Sequence, residues 1–167
     1  GSFAVALLAR RGYEVHASTG RLEERERLLG LGATEVFDRQ TLAEAGKPLQ
    51  KEKWAGAVDC VGSHTLANIC AQTRYGGVVT ACGLAQGMDF PATVAPFILR
   101  GVTLAGVDSV YAPQALRKEA WRCLAEETDG SLREQIACTA SLHESIDLAQ
   151  RLMKGEIKGR VVIDLAK

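Results

Sequence analysis

Long runs of one charge and long apolar runs are both missing from this 167-residue sequence. Its 20 basic and 20 acidic residues give a formal net charge of zero, so no basic face for a nucleic acid is predicted. No apolar run approaches the roughly 20 residues that span a bilayer, and the N-terminus lacks the pattern of a signal peptide. We therefore expect a soluble, cytoplasmic protein without a nucleic-acid or membrane partner.

Patterns typical of disulfide frameworks and metal sites are missing as well. The five cysteines are odd in number, far apart and never arranged as CxxC, and the three histidines form no HxH or HExxH pattern. No metal site is expected. Apolar neighbours surround most of the cysteines, which are predicted to be reduced and buried: Cys60, Cys70, Cys82, Cys123 and Cys138.

A strand followed by a glycine-rich GxGxxG loop is also absent, because the sequence begins in a helix predicted over residues 3–11. Gly1 is either the last glycine of such a loop or, with Ser2, a remnant of cloning, and in both cases the chain is expected to be a fragment. The first strand of a dinucleotide-binding fold lies mid-sheet, so its absence leaves two neighbours unpaired. A partner chain, a swapped element, a rearranged sheet or an absent segment is expected to fill the gap.

A small, hydroxyl-rich and cationic turn follows the first predicted strand, with the sequence Ser18-Thr19-Gly20-Arg21. In dinucleotide-binding proteins an acidic residue at this strand tip binds the ribose hydroxyl of NAD. No carboxylate occurs here, and two hydroxyls with a guanidinium suit a 2′-phosphate. The turn predicts NADPH in preference to NADH. The alternative is a solvated turn in which a hydroxyl only caps the helix that begins near Leu22.

Short apolar segments alternate with helical segments through most of the chain. Strands are predicted at residues 33–37, 54–61, 78–82 and 102–107, with helices at residues 22–31, 66–71 and 113–126. The alternation predicts an α/β fold with a doubly wound parallel sheet that lacks its first strand. The pattern changes near residue 128, so we predict a truncated dinucleotide-binding domain over residues 1–127 and a separate C-terminal segment over residues 128–167.

Several ordered motifs resemble medium-chain dehydrogenase/reductases of the zinc-independent quinone oxidoreductase-like branch, in particular the acryloyl-CoA reductase group. Each motif is short, but together they run in order over nearly the whole chain. The motifs are the 18–21 turn, Leu31-Gly32-Ala33, the segment 54–62, Tyr75-Gly76-Gly77, Ala81-Cys82-Gly83-Leu84-Ala85, and residues 96–109.

The resemblance implies that NADPH lies across the carboxyl ends of the strands. It places Gly1 at the end of the phosphate loop, and Ser18, Thr19, Gly20 and Arg21 at the 2′-phosphate. The adenosine side is assigned to Cys60, Val61 and Gly62, the nicotinamide ribose to Cys82, Gly83 and Leu84, and the nicotinamide to Phe97, Ile98 and Leu99. Ordinary turn chemistry is the alternative explanation for the glycines. The resemblance also implies that the C-terminal segment returns to a catalytic domain that is absent here.

The implied function is NADPH-dependent reduction of an activated double bond in an acyl-CoA, enone or quinone-like substrate, by hydride transfer. No catalytic residue is assigned within this chain, which alone is expected to be inactive. The alternative is a nucleotide-binding or self-association module without catalysis of its own. The resemblance also implies a homodimer formed through the edge strand from Val102 to Val107, and an unpaired apolar edge strand favours such pairing. A short-chain reductase is disfavoured because no tyrosine has a lysine four residues later, and a methyltransferase because the strand tip lacks an acidic residue.

Overall fold

The structure is a computed structural model that describes residues 1–166. Helices and strands alternate along most of these residues, as the sequence predicts. The helices are α1 (Ser2–Arg10), α2 (Arg25–Gly30), α3 (Ser63–Gln72), α4 (Ala95–Arg100), α5 (Gln114–Glu127), α6 (Gly130–Ile136) and α7 (Ser145–Met153). The strands are β1 (His16–Thr19), β2 (Glu35–Asp38), β3 (Trp54–Asp59), β4 (Thr73–Ala81), β5 (Thr103–Gly106), β6 (Ala137–Ser141) and β7 (Arg160–Asp164).

Local sequence signals fix several helix ends. Gly12 and Gly32 follow α1 and α2 with φ angles of +83° and +100°, a conformation that glycine adopts without a steric penalty. The short helix α6 was not predicted. It begins after Asp129, whose carboxylate accepts a hydrogen bond of 2.7 Å from the Leu132 amide and so caps the first turn.

All strand pairs in the described residues are parallel, and they form three small sheets in the orders β1-β2, β3-β4-β5 and β6-β7. Helices connect successive strands in the first two sheets, which confirms the predicted α/β class. The prediction that the first strand is missing agrees with this division, because no strand of residues 1–166 lies between β1 and β3.

Side chains, not backbone pairing, bridge the interval between the first two sheets. His16 of β1 and Trp54 of β3 meet edge to face with ring centroids 5.4 Å apart, and Phe37 of β2 stacks on Trp54 at 5.9 Å. Val58, the second-last residue of β3, remains 45% exposed, although the faces of a parallel sheet are usually covered. The two sheets therefore stay separate, and the structure leaves the expected gap in the sheet.

Two apolar clusters hold the chain together. One joins α1, β1, α2 and β2 and includes Leu132 and Ile136 of α6, whereas the other packs α3 against β4 around Cys70 and Val79. The C-terminal segment thus contributes to the core of the predicted dinucleotide-binding domain. The domain boundary near residue 127 stays a prediction. None of the helices within residues 1–166 has the length and apolar character needed to cross a membrane.

Candidate coenzyme site

The turn at the tip of β1 is closed by its own threonine. Thr19 Oγ1 accepts a hydrogen bond of 3.1 Å from the Arg21 amide, and its hydroxyl faces the Arg21 carbonyl oxygen at 3.3 Å. Ser18 is exposed, so its hydroxyl is accessible to a ligand. The carboxylate of Asp38, which pairs with Thr19 in the parallel ladder, accepts a hydrogen bond from the Gln40 amide and caps its own turn. The tip of β1 therefore presents hydroxyl and guanidinium groups.

Arg21 extends toward the C-terminal segment. Its Nη1 atom donates to the carbonyl oxygens of Gly155 at 2.8 Å and Ile157 at 3.3 Å. Close by, the buried carboxylate of Glu24 pairs with Lys158, and this contact lowers the pKa of Glu24. The segment around residue 157 thus adjoins the predicted phosphate turn.

A second arginine lies against the same turn. A Cβ atom placed on Gly20 would lie 2.8 Å from Nη2 of Arg39, so the absence of a side chain at Gly20 leaves room for the guanidinium. Arg39 was not predicted as a site residue. The sequence position of Arg39 is a signal that could have found it. Arg39 follows β2 directly, and the tips of β1 and β2 pair through Thr19 and Asp38. A residue just beyond one tip therefore lies near a residue just beyond the other.

The segment after β3 is organised by a buried carboxylate. Asp59 is 2% exposed, and its Oδ2 atom accepts hydrogen bonds from the amides of Gly62 at 2.8 Å and Val61 at 3.2 Å. Its Oδ1 atom has no hydrogen-bond partner within the described part of the chain. Ser63 then begins α3 with a φ of +49°, which is uncommon for a residue other than glycine. The backbone from Cys60 to Gly62 is thereby fixed at the carboxyl end of β3.

The segment after β4 lies directly against it. The Cys82 amide donates to the carbonyl oxygen of Asp59 at 2.9 Å, and the Cys82 thiol lies 3.2 Å from the same oxygen. A Cβ atom on Gly83 would lie 2.6 Å from the Cys60 carbonyl oxygen, which only glycine permits at this distance. Leu84 is exposed beside them. Two of the predicted site segments, 60–62 and 82–84, are therefore brought together.

The residues predicted at the nicotinamide, and Gly1, do not form one cluster with the two segments 60–62 and 82–84. Phe97 packs with the second apolar cluster and lies 6.4 Å from the Phe90 ring, whereas Ile98 and Leu99 are 72% and 62% exposed. Gly1 is exposed at the start of α1, where its carbonyl oxygen accepts a hydrogen bond from the Val5 amide.

A polar cleft of about 250 Å³ joins the ends of β2, β3 and β4. Gln86 accepts a hydrogen bond of 2.7 Å from the Thr65 hydroxyl and donates one of 3.0 Å to the Ala43 carbonyl oxygen. The cleft was not predicted, because its wall depends on a contact between residues 43 positions apart. Its lining residues are Arg39, Gln40, Ala43, Glu44, Thr65, Ala85 and Gln86.

The prediction that the cysteines are buried is wrong for most of them. Only Cys70 is fully buried, and burial raises its pKa to about 11. Cys82 is exposed because it follows the carboxyl end of β4, and Cys138 is exposed because it lies within β6, a strand of a two-stranded sheet. Cys60 and Cys123 are half-buried. All five are free thiols. Apolar sequence neighbours thus indicate nearby strands and do not establish burial of the cysteine itself.

Residues 1–126 match the family model described as zinc-binding dehydrogenase, and the chain belongs to this family. It is 47% identical to the Escherichia coli (strain K12) protein named probable acrylyl-CoA reductase AcuI, over 98% of this chain and 50% of that protein. The resemblance to the acryloyl-CoA reductase group is thereby confirmed. The chain spans about half the length of the curated relatives it matches.

Two solved structures share the fold closely. The YhdH oxidoreductase from Salmonella enterica in complex with NADP superimposes with a TM-score of 0.96 at 43% identity, over 99% of this chain and 51% of that one. The Bacillus subtilis protein YhfP with bound NAD gives a TM-score of 0.93 at 41% identity, over 99% and 51% of the two chains. The Rossmann-like class is confirmed by these neighbours.

The family description mentions zinc, and the residues present do not supply a zinc site. In the part of the chain that the structure describes, no three His, Cys, Asp or Glu side chains are arranged so that they could hold a metal ion. A zinc site needs three or four such ligands.

Proposed function

We propose that this chain is the coenzyme-binding part of an NADPH-dependent medium-chain reductase that acts on an activated carbon–carbon double bond. The observation that carries the proposal is the pair of arginines at the β1 tip. Arg21 belongs to the turn and Arg39 lies over Gly20, and the carboxylate of Asp38 is engaged in its own turn. Two guanidinium groups favour a 2′-phosphate, which a carboxylate would repel.

The donor set and the glycines fit NADPH. Arg21, Arg39 and Ser18 would hold the 2′-phosphate. The backbone of residues 60–62 and 82–84 would lie along the coenzyme. Gly83 lets the two segments meet there, because a Cβ on it would lie 2.6 Å from the Cys60 carbonyl oxygen. A Cβ on Gly62 would meet the Gly87 carbonyl oxygen at 2.6 Å, so the turn admits glycine alone.

The bound coenzyme would supply the hydride. The chain's own residues would orient it: Asp59 fixes the 60–62 turn through two amide hydrogen bonds, and Phe97 is held in the second apolar cluster with its neighbours Ile98 and Leu99 at the surface. No group in the chain is assigned to donate a proton. The substrate would be an acryloyl-CoA or a quinone-like enone, because the E. coli relative carries the name acrylyl-CoA reductase.

Calorimetric titration of the chain with NADPH and with NADH tests the coenzyme. Tighter binding of NADPH is expected, and loss of two or three charge-assisted hydrogen bonds in Arg21→Ala should weaken it by at least about tenfold while NADH binding changes little. Arg74→Ala is the matched control, because Arg74 is an exposed arginine near the amino end of β4. Equal affinity for both coenzymes would overturn the 2′-phosphate assignment.

A self-associating module is the second candidate, and one observation favours it. The outer edge of β5 has no strand partner among residues 1–166, and three apolar side chains beyond it are exposed: Val107, Val110 and Tyr111. Such an edge favours pairing with a second copy. Sedimentation should then show a homodimer that Val107→Lys converts to a monomer, whereas a monomeric wild-type chain excludes this candidate.

A cytoplasmic location is part of the proposal. All five cysteines are free thiols, which is typical of proteins in a reducing compartment. Fractionation of the source cells, followed by detection of the protein with an antibody, tests this. Recovery with the membrane or extracellular fraction would contradict it.

A further inference from the structure

Cys60 and Cys82 come directly after two adjacent strands. In the parallel ladder of β3 and β4 the last register pair is Asp59 with Ala81, so the next residue on each strand is a cysteine. Neighbouring strands are about 4.8 Å apart, which is within the Cα separation of about 4.4 to 6.8 Å that a disulfide spans. The strand pairing is therefore expected to place the two Cα atoms within the range that a disulfide spans.

The contact continues past the strand ends. The Cys82 amide still donates to the Asp59 carbonyl oxygen, and a Cβ on Gly83 would lie 3.1 Å from the Cys60 Cα. Burial raises the pKa of the Cys82 thiol, and charge and hydrogen-bond interactions with Cys60 raise it further. The backbone contacts and these interactions place the two cysteines side by side.

Access to a small reagent differs among the cysteines. Cys82 is exposed and Cys60 is half-buried, whereas Cys70 is completely buried on α3. A reagent can thus reach Cys82 from solvent, and Cys60 is the thiol beside it.

We propose that Cys60 and Cys82 form an oxidation site, in which a low-molecular-weight disulfide converts the two thiols to an intrachain disulfide. The Cys82 thiolate, a minor fraction at neutral pH because the pKa of this thiol is raised, attacks one sulfur of the reagent, forms a mixed disulfide and releases one small thiol. The Cys60 thiolate then attacks Cys82 Sγ, the protein disulfide forms, and the second small thiol leaves. The protein loses two electrons and two protons, and the reagent is reduced to two thiols.

The bond would join the two segments that the proposed function assigns to NADPH. Closing it would lock residues 82–84 against residues 60–62 and remove the freedom of both segments to adjust to a ligand. On the proposed function, oxidation weakens NADPH binding several-fold, and reduction restores it. This consequence, unlike the bond itself, rests on the proposed function.

The test incubates the folded wild-type chain with oxidised glutathione, blocks the remaining thiols with N-ethylmaleimide and digests with trypsin. Cleavage after Lys53, Arg74 and Arg100 places Cys60 in the peptide 54–74 and Cys82 in the peptide 75–100. Mass spectrometry is expected to find these peptides linked. The peptide 54–74 also contains Cys70. Fragmentation of the linked peptides in the mass spectrometer therefore has to show that the bond joins Cys60 and not Cys70, and this assignment needs no variant.

Variants sharpen the result. The link should disappear in Cys60→Ser and Cys82→Ser and persist in Cys123→Ser. A bond to Cys70, a bond between two chains, or glutathione that stays on Cys82 without release would each overturn the proposal. Calorimetry of the oxidised and reduced chain then measures NADPH binding: unchanged affinity overturns the regulatory consequence alone. If the reduced chain does not bind NADPH, the proposed function fails while the disulfide result stands.

Discussion

Arg21 donates a hydrogen bond of 2.8 Å to the carbonyl oxygen of Gly155, a residue 134 positions further along the chain. The cation predicted to bind a phosphate thus also holds the loop between α7 and β7. Since these hydrogen bonds and the pair of Lys158 with Glu24 connect the loop to the rest of the chain, its local opening should depend in part on this guanidinium.

In Arg21→Ala we expect trypsin to cut faster after Lys154 and Lys158, because the carbonyl oxygens of Gly155 and Ile157 lose their donor. Cleavage rates at the two lysines, followed by mass spectrometry, measure this. Arg74→Ala should leave the rates unchanged. Equal rates in wild type and Arg21→Ala would show that the hydrogen bonds do not restrain the loop.

The pair of Glu24 and Lys158 predicts an acid-dependent stability. Hydrogen bonding to Lys158 lowers the pKa of Glu24 below its usual value, so the pair stabilises the fold above about pH 5, and this stabilisation is lost as the pH falls through the lowered pKa. In Lys158→Met the buried carboxylate loses its partner. The difference in unfolding free energy between wild type and variant should be largest near pH 7 and shrink toward pH 3.

Urea unfolding at several pH values between 3 and 7 measures that difference. Lys154→Met, which removes an exposed lysine of the same segment, is the matched control and should show no such trend. A constant difference across the pH range would contradict the assignment to Glu24.

The sequence predicts the elements well where local chemistry determines them. Gly12 and Gly32 mark helix ends, and Pro113 precedes α5 as expected. The helix α6 was missed because its Asp129 cap lies in a polar stretch without a strong apolar period. Arg39 was missed because its approach to Gly20 follows from pairing between β1 and β2, and burial of the cysteines was misjudged because strand edges depend on which neighbours are present.

Gly83 and Gly106 offer a matched test of the contact between the two central site segments. They lie at the carboxyl ends of adjacent strands, but a Cβ on Gly83 would meet the backbone of Cys60 at 2.6 Å, whereas one on Gly106 would meet nothing within 4 Å. Gly83→Ala should lower the free energy of unfolding by about 1 to 3 kcal/mol, because the new methyl group forces the backbone at Cys60 or at residue 83 to move. Gly106→Ala should change it little.

Chemical unfolding of both variants measures the two free energies. A Gly83→Ala chain as stable as wild type would mean that the segments 60–62 and 82–84 separate easily. Their close contact would then be ruled out as a fixed feature of the proposed coenzyme site.

Asn68 is the main polar link between α3 and the loop that precedes β3. Its Nδ2 atom donates to the carbonyl oxygens of Leu42 at 2.9 Å and Glu44 at 2.7 Å, and its Oδ1 atom accepts from Gln50 at 2.6 Å. The residue is 6% exposed. Asn68→Ala leaves these groups without partners and should cost about 2 to 3 kcal/mol of unfolding free energy.

Asn68→Asp should cost more at neutral pH than Asn68→Ala, although it has nearly the shape of asparagine. A buried carboxylate would face two carbonyl oxygens and could not donate to either. The Asp variant should recover part of its stability as the pH falls, because the protonated carboxyl can donate one hydrogen bond. Gln135→Glu, an amide-to-acid change at an exposed position on α6, is the control. If Asn68→Asp is as stable as wild type at pH 7, water must reach this amide, and the loop does not depend on it.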